Sequence, residues 1–179
     1  DQKAMLRRLV LSRTFRQASN IRPEIDDPEN RLFARGPSFR LDAEVIRDST
    51  LLAGGLLDPF MGGEGVKPYQ PAGLWESIGH RKSNTRVYIP DKGTKVYRRS
   101  IYVYWKRASP HPMMTIFDAP NRESACVGRS RTDTPLQSLA LFNEIQRLES
   151  ARSLAEKLIL SNKSDEGRID QLFEVLTLS

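Results

Sequence analysis

Two stretches of the chain hold residue types dense enough to do chemistry. The first runs from Tyr97 to Arg107 and interleaves Tyr97, Tyr102, Tyr104 and Trp105 with Arg98, Arg99, Lys106 and Arg107. Rings that stack, set among cations that follow a phosphate or sulfate backbone, make the composition of a polyanion-binding surface. The same composition suits a core strand whose flanking arginines pair with nearby acids, and the sequence leaves both readings open. The second stretch runs from Phe117 to Glu123. Its Asp118, Arg122 and Glu123, with Arg129 and Arg131 further on, are placed to form a charged cluster. With His111 beside them they would supply the acid, base and anchoring groups of an enzyme pocket, although ion clusters of this kind also serve as architecture.

Other chemistries lack their residues. Cys126 is the only cysteine, so an internal disulfide framework, a CxxC redox pair and a CxxCH haem attachment site are excluded. His80 and His111 stand 31 positions apart with no further ligand at metal-binding spacing, so no metal site is expected. No Gly-x-Ser-x-Gly elbow is present. The run Gly62-Gly63-Glu64-Gly65 lacks the Gly-Lys-Ser/Thr ending of a phosphate loop and no strand precedes it.

The elements that must position these residues read as mainly helical. A basic amphipathic helix is expected over Lys3 to Gln17, carrying Met5, Leu6, Leu9, Val10 and Phe15. After the breaker-rich Pro23, Asp26, Asp27 and Pro28, a short helix is expected from Glu29 to Ala34, ended by Gly36-Pro37. A second clear helix spans Asp42 to Leu57, with Asp42 as N-cap, Glu44 and Asp48 early, and Leu41, Val45, Ile46, Leu52 and Leu56 as its apolar stripe. Gly54-Gly55 marks either a close helix crossing or the helix end. Asp58 to Arg86 is a long Gly/Pro-rich loop, too long for an ordinary connector.

Ile101, Val103 and Trp105 alternate as in a strand, and a small central β hairpin is expected across Pro110 and Pro112, returning through Met113 to Phe117. Thr134-Pro135-Leu136-Gln137 is a capping box opening a helix of about six or seven turns. Leu139, Phe142, Ile145, Leu148, Leu154, Ala155, Leu158 and Ile159 should face inward along it. Asn162-Lys163-Ser164 ends that helix, and Ile169 to Leu176 lies in a last one reaching Ser179. The apolar residues at both ends have no local cover, so 1–179 is expected to be a single domain cut from a larger multidomain protein, truncated at both ends.

The charge is uneven. Lys and Arg number 28 against 22 Asp and Glu, a net +6 over 179 residues, and 20 of the 28 bases are Arg. Residues 1–60 carry +1, residues 61–135 carry +7 and residues 136–179 carry −2. A basic centre favours an anionic partner without saying anything of the fold. At this length a globule buries about two thirds of its unfolded surface, so neither metal nor disulfide is needed to hold it. No run approaches the ~18 apolar residues of a membrane span, and the N-terminus has no signal-peptide centre.

The same stretches carry a family resemblance. Tyr97-Arg98-Arg99-Ser100 through Trp105-Lys106-Arg107, Met113-Met114, Phe117-Asp118-Ala119-Pro120, Arg122-Glu123, Cys126, Thr132 and Thr134-Pro135-Leu136-Gln137 form one signature. Val66 through Glu76, Arg40 through Asp48, Leu11-Ser12, Phe15-Arg16-Gln17 and Asp27-Pro28-Glu29-Asn30 belong to it as well. The chain thereby resembles, over nearly its whole length, the planctomycete-specific domain of unknown function (PSD-type) that accompanies planctomycete cytochrome c domains. Gly128, Asp133 and Asn143-Glu144 depart from the pattern as ordinary drift.

The resemblance implies a periplasmic or extracellular setting and sister domains on the same polypeptide. It transfers no catalytic residue, and the haem motif of the accompanying domains is absent here, so no cofactor is expected. The reading that results is an accessory or binding module of an exported bacterial protein, packing against sister domains or binding an anionic polysaccharide. Its candidate ligand-binding residues are Arg98, Arg99, Tyr102, Tyr104, Trp105, Lys106, Arg107, Asp118, Arg122 and Glu123. The alternatives are a hydrolase-like enzyme with a pocket near Asp118 and Glu123, and nucleic-acid binding through the basic aromatic stretch, which an exported setting disfavours.

Overall fold

The computed structural model describes residues 1–161 and 164–177. Its helices are α1 (Gln2–Val10), α2 (Ala43–Ala53), α3 (Leu74–Ile78), α4 (Pro112–Ile116), α5 (Pro135–Asn143), α6 (Ile145–Leu160) and α7 (Asp165–Thr177). Two 3₁₀ turns, η1 (Gly93–Tyr97) and η2 (Ser100–Tyr102), lie between α3 and α4. Backbone contacts group the chain into two compact units, Asp1–Arg40 and the part from Leu41 onward. The helix end and sequon at Asn162-Lys163 and the stop at Ser179 lie outside the described residues.

In the first unit α1 begins at Asp1, whose carboxylate accepts from the Lys3 N–H, and it is shorter than the expected helix to Gln17. Turns replace the short helix expected over Glu29 to Ala34. The buried Asp27 accepts from the Arg31 and Leu32 N–H groups, and Arg35 donates to the Asp27 and Pro28 carbonyls. An aspartate that binds the backbone four and five residues on holds a turn where a helix would need those N–H groups.

In the second unit α2 packs on α6, η2 and α4, α4 on α5, and α5 on α6. Ala43, Val103, Met114 and Phe117 form the buried centre, with Ile46, Trp105, Met113 and Leu141 against it. Gly54 is both things the sequence suggested. It ends α2, and a Cβ there would stand 2.8 Å from the Ser150 Cα and carbonyl oxygen, so the crossing with α6 is too close for any side chain. Ser153 and Lys157 of α6 donate to the Gly54 carbonyl at 2.8 and 2.9 Å, completing the helix end.

The expected β hairpin is absent among the described residues. Pro112 sits at the first position of α4, where its fixed φ and missing N–H suit a helix start, so Met113 to Ile116 become helical rather than a returning strand. Tyr97 to Trp105 is left without a partner strand. It meets the glycine-rich loop at two isolated parallel bridges, Asp58 with Arg98 and Val66 with Val103, and otherwise turns through η1 and η2. Its alternation fails accordingly, with Val103 buried and Ile101 exposed.

The long C-terminal helix is divided. Glu144 takes an extended conformation (φ −72°, ψ 129°); its N–H donates to the Ala140 carbonyl at the end of α5, and its carboxylate accepts from the Arg147 N–H at the start of α6. The capping box of α5 forms as its sequence implies. Of the eight residues expected to face inward, Leu154 and Leu158 are buried, while Leu139, Phe142, Ile145, Leu148, Ala155 and Ile159 are exposed.

Candidate functional site

The aromatic and basic stretch is wrapped by its own loop. Arg98, 5% exposed, donates to the carbonyls of Glu64 and Phe60 at 3.2 and 3.3 Å and to that of Gly62. Its guanidinium lies 4.2 Å from the Tyr102 ring centre and 5.0 Å from that of Phe60, which makes it a clamp on residues 60–64 as much as a charge. The Tyr102 hydroxyl accepts from the Gly62 N–H, and Gly62 and Gly63 adopt the positive φ that such a wrap demands.

Arg99 lies 5.8 Å from the same Tyr102 ring. Lys106 sits 4.5 Å above Trp75 and donates to the Thr85 carbonyl. Tyr104, at the surface, closes on Trp75 at 5.7 Å, and Tyr88 meets that tryptophan edge-on at 4.8 Å. Trp105 donates to the Asn121 carbonyl and carries Arg122 over its ring at 4.7 Å. Arg107 is exposed.

The second stretch separates into different partnerships. Asp118 accepts from the Thr132 N–H and hydroxyl. Arg129 pairs with Glu44 at 2.6 Å and Asp42 at 3.5 Å, and Arg131 pairs with Asp42 at 3.5 Å, so these two arginines serve the N-terminus of α2. Glu123 is exposed, with its N–H on the Asn121 side chain. Cys126 is exposed and free, its thiol 3.3 Å from the Gly128 carbonyl.

A further enclosed polar centre forms around Arg47, which was not among the candidate residues. Arg47 of α2, 8% exposed, donates from Nε to Gln146 at 2.8 Å, from its terminal nitrogens to the Arg98 and Val96 carbonyls at 2.8 and 2.7 Å, and to the Ser100 hydroxyl at 3.1 Å. Gln146 donates to the Val96 carbonyl at 2.8 Å, and Asp48 accepts from the Ser100 N–H and hydroxyl. Burial pulls the guanidinium's pKa down, and Asp48 and Glu144 oppose that pull. Arg47 thus ties η1 and η2 to α2 and α6. A signal for it exists: Ala43, Arg47 and Leu51 follow one another at helical spacing of four, and they, rather than the expected stripe with the exposed Leu41, Val45 and Leu52, form the buried face of α2.

His111 is another buried titratable group. Its Nε2 lies 2.8 Å from the Tyr69 carbonyl, and burial lowers its pKa to about 4. It lines a pocket of about 290 Å³ between the Tyr69–Pro71 loop, the start of α4 and the α5–α6 junction. Among the described residues no group of three His, Cys, Asp or Glu is placed to hold a metal ion.

Over residues 1–178 the sequence matches the family model PSD1, described as a protein of unknown function (DUF1553). The chain belongs to that family. No curated protein and no solved structure matches it. In this PSD1 chain the signature residues divide between two duties: Arg98, Tyr102, Lys106 and Trp105 hold loops against one another, while the capping box and the Asp42 and Glu44 partners of Arg129 set helix starts. None of the described helices is long and apolar enough to cross a membrane.

Proposed function

We propose that the chain is an accessory packing module of a larger exported bacterial protein, docking the outer side of α5 and the start of α6 on sister domains. The observation that carries this reading is a run of uncovered apolar side chains on successive turns. Leu136, Leu139, Phe142, Ile145 and Leu148 are 57, 60, 79, 55 and 55% exposed. Single exposed apolar residues are ordinary, but a succession of large ones marks a surface that another surface covers. The test compares the isolated chain with the full polypeptide. Anilinonaphthalene sulfonate fluorescence should be high for the chain alone and fall when the sister domains are present, and Phe142→Glu should weaken their association. Equal dye binding in both would sink the reading.

A second reading, an anionic polysaccharide surface, rests on the bases that the loops leave outside. Arg81, Lys82, Lys92, Lys95 and Arg107 are exposed within the +7 centre. It predicts retention on heparin that weakens with salt, and loss of that retention in Lys92→Glu with Lys95→Glu.

A further inference from the structure

Arg122 lies on the indole of Trp105, its guanidinium carbon 4.7 Å from the ring centre. That ring is anchored, because Trp105 packs against the buried centre of the second unit and its Nε1 donates to the Asn121 carbonyl at 3.2 Å. The Asn121 side chain in turn accepts from the Glu123 N–H at 3.0 Å, so the residues on both sides of Arg122 are tied down. Between them Arg122 takes a left-handed backbone, φ 63°, which an arginine adopts only at a cost. An exposed cation over a ring returns no more than such a backbone costs, so the stack is no net source of stability.

What sets Arg122 apart is that its donors are unspent. Arg98 and Lys106 also lie over rings, but both donate to loop carbonyls. Arg129 and Arg131 of the same segment are paired with Glu44 and Asp42. Arg122 is exposed, and its guanidinium has no hydrogen bond or ion pair among the described residues, the neighbouring Glu123 included. A guanidinium held by its backbone and its ring presents a free fork of donors that fits an oxyanion, and it has little rotamer freedom left to lose on binding. We propose that Arg122 on Trp105 anchors one oxyanion, a carboxylate or a sulfate ester, of an acidic polysaccharide. This rests on the polysaccharide reading above and adds to its diffuse charges one directed contact.

The experiment is an NMR titration of the whole chain, following the Trp105 indole N–H. The probes are digalacturonate for the carboxylate, a sulfated carrageenan disaccharide for the sulfate, and galactobiose as the neutral control. At least one acidic sugar should shift the Trp105 resonance saturably, with galactobiose about tenfold weaker or worse. The tighter of the two acidic sugars identifies the oxyanion. Arg122→Lys keeps the charge and loses the fork, and should weaken that sugar by about tenfold. Arg152→Lys, at an exposed arginine of α6, should leave it unchanged. Heparin retention without a Trp105 shift, or acidic sugars that bind Arg122→Lys as tightly as the unaltered chain, would overturn the anchor and leave the polysaccharide reading standing. If heparin is not retained either, both fall.

Discussion

Arg47 and His111 are both buried side chains on the second unit's inner surface, yet one is surrounded by partners and the other is half bare. Arg47 donates to Gln146, Ser100 and the carbonyls of Val96 and Arg98. His111 binds the Tyr69 carbonyl through one nitrogen and leaves the other facing no protein group among the described residues. The first pattern is that of a structural hub, in which a charge is tolerated because three segments converge on it. The second leaves a buried acceptor without a protein partner, which costs stability and does not add to it.

Breaking the hub should have the largest consequence. Arg47→Met removes the donors to two carbonyls, a hydroxyl and Gln146 at once and should cost on the order of 3–5 kcal/mol of stability, read by urea unfolding. Arg47→Lys should recover little of this, because an ammonium cannot reproduce the forked geometry.

Acid should act next, through His111. Its folded pKa of about 4 lies below the ordinary 6.5. Above pH 6.5 the ring is neutral in both folded and unfolded chains, and stability is fully present. As pH falls from there toward 4, the unfolded chain takes up a proton that the folded one refuses, and stability is lost. The whole effect is roughly 3 kcal/mol. A melting curve at each pH should show this decline, and it should shrink in His111→Phe.

Gly54→Ala tests the frame that holds the hub together. The added Cβ meets Ser150 backbone at 2.8 Å, so α2 must move off α6 and draw Arg47 from Gln146. A loss of about 1–3 kcal/mol in chemical denaturation is expected. Gln70→Leu should produce the smallest change. The buried amide nitrogen has no partner to lose, so stability should stay within about 0.5 kcal/mol of the parent chain. A large loss there would place Gln70 with the structural hub and not with the pocket.

Much of the helical frame was legible in advance. Thr134-Pro135-Leu136-Gln137 announces α5, Asp42 and Glu44 mark the start of α2, and Gly54-Gly55 marks its end. Asp42 performs its part differently from expectation, receiving Arg129 and Arg131 rather than capping with its side chain. The hairpin misled because β-forming residues need a partner strand, and Pro112 had already committed the candidate partner to a helix. The inward faces of α5 and α6 misled because the periodicity was counted through Glu144, where the helix breaks and its phase restarts.

The candidate aromatic and basic residues were visible by type, but their engagement was not. Arg98 is clamped by carbonyls of residues 60 to 64, far from it in sequence, and no local pattern encodes that. Equally, nothing in the order of residues brings Gln70 and His111 to one pocket.

By itself the sequence determined where α2 and α5 begin, that a lone cysteine leaves no disulfide, that the basic excess lies in the centre, and which family the chain belongs to. Those properties depend on residues within a few positions of one another, or on composition alone. Only the tertiary structure decided which faces are covered, which arginines are enclosed and which buried atoms lack partners. The reason is distance along the chain: Arg47 meets Val96 across 49 residues and Gln146 across 99. Contacts of that span follow from packing the whole unit, and no helical period or capping rule reaches so far.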